Sequence, residues 1–178
     1  MKQCAVLSSI AASLMLFPAC SGRDAGGTSK QGSTTSSPGV NNDHAVGAPP
    51  THFTYFEIYE GSDGKTHFRD ITVDLKLTNF APPFPPVGIG GLQPATQILF
   101  AGVGANSGRA EFDAGLPHPT PKRQFFVTLS GTGTAITTDG DCRSLVPGTV
   151  VLVTDVAPSK GHFAIVGEPG VNMAIQLE

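Results

Sequence analysis

His118, Gln124 and His162 are the residues of this chain best suited by type and spacing to do chemistry. Neutral imidazoles ligate Zn, Fe, Cu, Ni and Mn, and a non-haem iron site is typically built from two histidines and a carboxylate. Here the third group is the neutral amide of Gln124. It lacks the anion that helps offset a divalent charge, so weak metal binding, or none, is expected. The same residues also read as interior polar side chains, His118 and His162 satisfied by hydrogen bonds with Gln124 as one partner.

Residues two apart in a strand share a face. Gln124, Phe126 and Thr128 therefore point one way, and Phe125, Val127 and Leu129 the other. His162, Ala164 and Val166 share a face, as do Asn172, Ala174 and Gln176. With Gln124 turned inward, His118, His162 and Gln176 converge on one pocket, and Phe126 and Thr128 line its floor.

The elements that must position these residues are short strands. Among 178 residues there are 22 glycines and 15 prolines, no tryptophan, and only 14% charged side chains. Many turns and short apolar runs favour an all-β domain. The clearest strand is 71–77, whose alternation places Ile71, Val73, Leu75 and Leu77 on one buried face. Further strands are expected at 52–59, 96–103, 123–130, 132–138, 149–154, 162–167 and 171–177, with hairpin turns at Asp63-Gly64 and Asp139-Gly140. The set implies a sandwich or barrel. The proline-rich segment 81–91 cannot be an interior strand, because proline removes ladder donors, and it reads as a connector.

Other candidates carry less. Asp139 and Asp141 are turn acids. Cys142 is the sole cysteine of the body and follows those acids, which raise a thiol pKa, so it reads as a turn residue at a strand start and not as a nucleophile or part of a disulfide framework. The glycine-rich stretch 102–108 lacks the helix that should follow a phosphate loop, and no nucleophile elbow is present. The net charge of −3, with no basic stripe, argues against nucleic acid as a partner.

The body resembles the cupin family. The first cupin motif contains His-x-His, then Glu and Gly; here the corresponding residues are His118, Thr120, Gln124 and Gly131. The second motif is similar to Gly148 to Val153 followed by Ser159-Lys160-Gly161-His162, with His162 matching the third histidine. Thr120 stands where the second histidine belongs, and Gln124 where the glutamate belongs. The wider string from Arg123 to Gly131, with Pro147-Gly148 and Lys160-Gly161-His162, looks like a bacterial cupin subgroup of undefined activity. His67, within Lys65-Thr66-His67-Phe68, belongs to a string that recurs in that subgroup and reads as structural there. The resemblance covers most of 65–178. It implies a cupin-like double-stranded β-helix, a jelly-roll barrel. It also implies a divalent metal (Fe, Mn, Zn or Ni) held by His118, Gln124 and His162, and a homodimer as one arrangement of the chain.

Residues 1–19 read as a signal peptide: Lys2, then an apolar run from Ala5 to Phe17 too short and serine-rich to span a membrane. The following Pro18-Ala19-Cys20-Ser21-Gly22 resembles a bacterial lipoprotein signal, in which Cys20 becomes lipidated. The other reading is an ordinary cleaved signal and a secreted or periplasmic soluble protein. Residues 20–50 are rich in Ser, Gly, Thr, Asn and Pro and read as a disordered, lipid-anchored linker with a reach of about 30 Å. Residues 51–178 are expected from the resemblance to be the cupin domain. The expected location is the bacterial cell envelope, with the membrane engaged through Cys20.

Three functions fit these residues. The first is a cupin-fold envelope protein that binds a small molecule, or weakly a metal, in its pocket. The second is a metal-dependent oxygenase or isomerase using His118, Gln124 and His162. The third is a non-catalytic envelope interaction protein on a tether.

Overall fold

In this computed structural model residues 47–178 are described. The signal segment, Cys20 and the linker as far as residue 46 lie outside them.

The described chain is almost wholly β. Its strands are β1 (His52–Glu60), β2 (Thr66–Asp74), β3 (Lys76–Thr78), β4 (Val87–Ile89), β5 (Ala95–Val103), β6 (Gln124–Thr128), β7 (Thr132–Ile136), β8 (Cys142–Leu145), β9 (Val150–Val153), β10 (Phe163–Glu168) and β11 (Gly170–Leu177), with one short helix α1 (Arg109–Asp113). β-Branched and aromatic residues dominate the central strands, as a pleated, half-buried surface favours. Six strands form one sheet in the order β2-β1-β9-β6-β11-β5, three form a second in the order β10-β7-β8, and β3 pairs with β4 alone.

Register decides what the large sheet turns inward. Ile58 lies opposite Val153, Val153 opposite Gln124, and Gln124 opposite Gln176. The next inward row runs Phe56, Val151, Phe126 and Ala174. These rows meet the small sheet in a core of Ile58, Val151, Val153 and Ala135, with Phe56, Phe68, Phe126 and Leu145 packed against it. The opposite face carries Phe125, Val127 and Leu152, and Phe125 meets Tyr55 edge to face at 5.3 Å.

The sheets do not close, which corrects the expected barrel to an open packing of two sheets. Closure needs the ladder to continue past the edge strands. At the edge strands β2 and β5 the chain instead makes corners held by isolated pairs of hydrogen bonds. The Asn106 amide donates to the Val166 carbonyl (2.9 Å) and the Val166 amide to the Ser107 carbonyl (3.0 Å). At the β2 corner Thr66 and Thr138 bond to each other.

Both hairpin turns form where Asp-Gly pairs stand, with Gly64 and Gly140 in left-handed conformations (φ 70° and 92°). Three expectations need correction. The strand 71–77 breaks at Leu75, and Leu77 is exposed, because β2 ends at Asp74 and the chain turns into the β3–β4 hairpin. The proline-rich segment contributes the short strand β4, which pairs only with β3, so no interior ladder is interrupted by proline. A helix does follow the glycine-rich stretch, but α1 has five residues and docks Phe112 edge to face on Phe163 of β10 at 5.3 Å. Gly108 before it lies so close to the Ala164 carbonyl that no β-carbon fits, so this glycine serves packing and not a phosphate.

Candidate ligand pocket between the sheets

A cavity of about 150 Å³ lies between the sheets. The large sheet contributes Ile58, Gln124, Phe126, Val151 and Val153, and the small sheet Ala135, Leu145 and Ala164. The remaining wall is made by two irregular segments carrying His118, Thr120 and Pro121 on one and His162 on the other. The pairing of these segments brings the histidines together. The His118 amide donates to the His162 carbonyl (2.9 Å) and the His162 amide to the His118 carbonyl (3.0 Å), and the ring centroids are 4.9 Å apart. Gly161 allows this approach: its φ is +91°, and a β-carbon there would lie 2.0 Å from the His118 carbonyl.

The inward period-two reading therefore places His118, Gln124, His162 and Phe126 in one lining. Thr128 belongs instead to a smaller cavity of about 90 Å³, lined also by Asn172 and sharing Phe126, Leu145 and Ala164 with the first. Its hydroxyl is buried without a partner. Gln176 pairs opposite Gln124 and is buried, but it reaches neither cavity lining.

Asp155 stands behind the polar wall, against His162. It is 1% exposed, and its Oδ2 lies 2.7 Å from Nδ1 of His162, while Oδ1 has no hydrogen-bond partner. Nothing in the sequence pattern distinguished it, since it is one acid after the apolar run of β9 and its histidine lies across a loop. The only available signal was its position two residues after Val150–Val153, where an acid ends up against the core. Thr120 is held to the same loop, its amide donating to the Asp155 carbonyl at 3.3 Å. The Gln124 amide nitrogen donates to the Thr120 hydroxyl (2.9 Å), which donates to the Lys122 carbonyl (3.0 Å).

Burial pushes the His118 pKa below its ordinary value, and the neighbouring His162 imidazole adds to the effect. In a neutral His162 ring, an Nδ1–H directed at Asp155 leaves Nε2 as the lone-pair nitrogen. The arrangement can accept a proton or a hydrogen bond.

The donors fit a resident divalent cation poorly. Gln124 turns its nitrogen toward Thr120, Thr120 is committed to backbone, and among the described residues no group of three His, Cys, Asp or Glu side chains converges to hold a metal.

The remaining candidates have structural surroundings. His67 sits between two carboxylates, Nε2 2.9 Å from Asp63 Oδ1 and Nδ1 2.7 Å from Asp139 Oδ2. Asp139 also accepts from the Thr137 hydroxyl at 2.6 Å and the Asp141 amide at 3.1 Å. Asp139 is thus a paired clamp residue, where solvated turn acids were expected. His52 begins β1 and is exposed. Cys142 opens β8 and is half-buried, at the strand start expected of it.

Comparison with protein-family models, with curated proteins and with solved structures gave no match.

Proposed function

We propose that this chain is a cupin-like envelope protein that binds a small organic molecule in the pocket bounded by His118, Gln124 and His162. One observation carries the reading: a few polar side chains from separate segments converge on an otherwise apolar cavity of about 150 Å³. That combination is the usual build of a small-molecule site. The lipid anchor on Cys20, the envelope location and the jelly-roll relationship belong to the same proposal and rest on the sequence resemblances.

A second reading, a metal-dependent oxygenase or isomerase, has one feature in its favour. Metal-ligating histidines commonly direct their other nitrogen at a carboxylate, as His162 does toward Asp155.

The test is to purify the mature chain without chelator, then identify what it carries by native mass spectrometry and elemental analysis. A His118→Ala/His162→Ala double variant is treated in parallel. A bound organic molecule lost from the variant supports the proposal. Near-stoichiometric metal lost from the variant, with substrate turnover by the parent, would replace it with the second reading.

A further inference from the structure

Acceptors stand out on the polar wall of the pocket, beside the His118 ring, which carries one donor and one acceptor nitrogen when neutral. Gln124 donates one amide N–H to Thr120, and no other side chain occupies its Oε1, which remains an acceptor. The Thr120 hydroxyl donates to the Lys122 carbonyl and has no proton left to offer. His162 directs Nδ1 at Asp155, and in the tautomer that keeps its proton on Nδ1 the free Nε2 accepts. No Lys or Arg lines the cavity. An anionic ligand would therefore meet acceptors, with the buried Asp155 carboxyl close behind them. A cationic ligand would have to be desolvated against Ile58, Phe126, Ala135, Leu145 and Val151. Asp155 is not itself part of the lining, so a ligand cation would have no carboxylate in contact, and burying a charge without such contact is strongly unfavourable.

Size narrows the choice further. An apolar cavity of about 150 Å³ is the size that takes benzene. The acceptors and the hydrophobic walls then select for one ring and one donor.

We infer that the pocket takes a compact, uncharged hydroxyl compound built on a single six-membered ring, phenol or cyclohexanol, with its O–H donated to Nε2 of His162 or Oε1 of Gln124. The inference rests on the small-molecule reading above and adds the chemical class. The ring lies against Phe126, Val151 and Leu145, and the hydroxyl satisfies one of the acceptors of the wall.

The experiment is a binding panel on the mature chain at pH 8, using phenol, cyclohexanol, benzene, benzoate and cyclohexylammonium. Affinities are measured by calorimetry, and the histidine nitrogens are followed by ¹⁵N NMR. Phenol and cyclohexanol are expected to bind about tenfold tighter than benzene, the worth of one added hydrogen bond. Benzoate and cyclohexylammonium should bind more weakly than either alcohol. The Nε2 resonance of His162 or the side-chain amide signals of Gln124 should move with phenol and not with benzene. Equal binding of phenol and benzene would overturn the hydroxyl requirement while leaving the pocket reading intact. Benzoate or cyclohexylammonium binding as tightly as phenol would overturn the requirement for an uncharged ligand. Failure of every compound, benzene included, would overturn the pocket reading itself, and the inference with it.

Discussion

Thr66 and Thr138 each donate a backbone N–H to the other's hydroxyl, at 2.8 and 2.9 Å, across 72 residues of sequence. Thr66 also donates its own hydroxyl to the Gly161 carbonyl at 3.0 Å. One buried side chain thus ties the start of β2 to the β7–β8 turn and to the residue before His162. Thr66→Val keeps the shape and the bond from its own backbone N–H, and removes the two bonds made by the hydroxyl, from the Thr138 N–H and to the Gly161 carbonyl. It should cost about 2–3 kcal/mol, the penalty of leaving buried partners unsatisfied. Thr66→Ser should recover most of this loss. Urea unfolding of the three proteins checks both expectations.

The Asp63–His67–Asp139 clamp makes stability depend on pH with a definite sign. Hydrogen bonding to Asp63 leads in raising His67 above its ordinary 6.5, with Asp139 adding to it. Asp63 is held below its ordinary 3.8 first by its bond to His67. Burial pushes Asp139 up, but its bonds from Thr137, the Asp141 amide and His67 outweigh this and leave it below 3.8. The histidine contribution is complete below its ordinary value and fades as pH rises through the raised one. The carboxylate contributions are complete above 3.8 and fade as pH falls through the lowered values. The stability difference between the parent and His67→Gln should therefore be largest between 3.8 and 6.5 and shrink on both sides. Denaturant titrations at pH 3, 5.5 and 9 measure it.

Gly161→Ala should be among the most disruptive single changes in the domain. The left-handed backbone alone costs about 1–3 kcal/mol for a non-glycine residue. The clash with the His118 carbonyl comes on top, and it falls on the pair of hydrogen bonds that joins the two histidines. The expected result is a melting temperature lower by about 10 °C or more, on the usual scale for a domain of this size. Gly140→Ala is the comparison. It has the same left-handed φ but open space around it, so it should cost only the backbone component.

Ala164→Leu should close the pocket without unfolding the protein. Ala164 lies on β10 and borders both cavities, so the added carbons enter existing space. Overpacking a filled core costs about 1–3 kcal/mol, and filling a void should cost less. The variant should keep a native-like melting temperature and lose phenol binding by at least about tenfold, one hydrogen bond's worth. Calorimetric binding together with thermal unfolding separates this outcome from simple destabilisation.

Much of the site's framework was legible because period two is strict in β6. Gln124 and Phe126 face inward as that period requires, and they share a cavity with His118 and His162. The Asp-Gly turns were legible for a similarly local reason, since backbone chirality restricts what can stand there. Asp155 was not legible. Its role depends on a loop that carries it back toward His162, and a lone acid beside a strand has no periodic signature. Thr128 obeys the predicted facing but lies one pleat too far along β6, so it meets the smaller cavity. Leu77 failed because alternation describes a strand only while the strand continues. The open sheets were not legible either, because the same strand set serves a closed or an open packing, and the difference lies in how two corners are bonded.

The position of β11 has a consequence for how the molecule is made. It lies inside the large sheet, between β6 and β5, yet it is the last strand in chain order. A chain delivered from its N-terminus onward, by synthesis or by export, holds β5 and β6 with their common neighbour still to arrive. Their exposed edges must wait, and pairing distant segments is slow compared with forming a hairpin. The interval before β11 inserts is when this protein is most open to aggregation. A factor that shields β5 and β6 in nascent chains should therefore raise the yield of folded protein more than any change that strengthens the finished core.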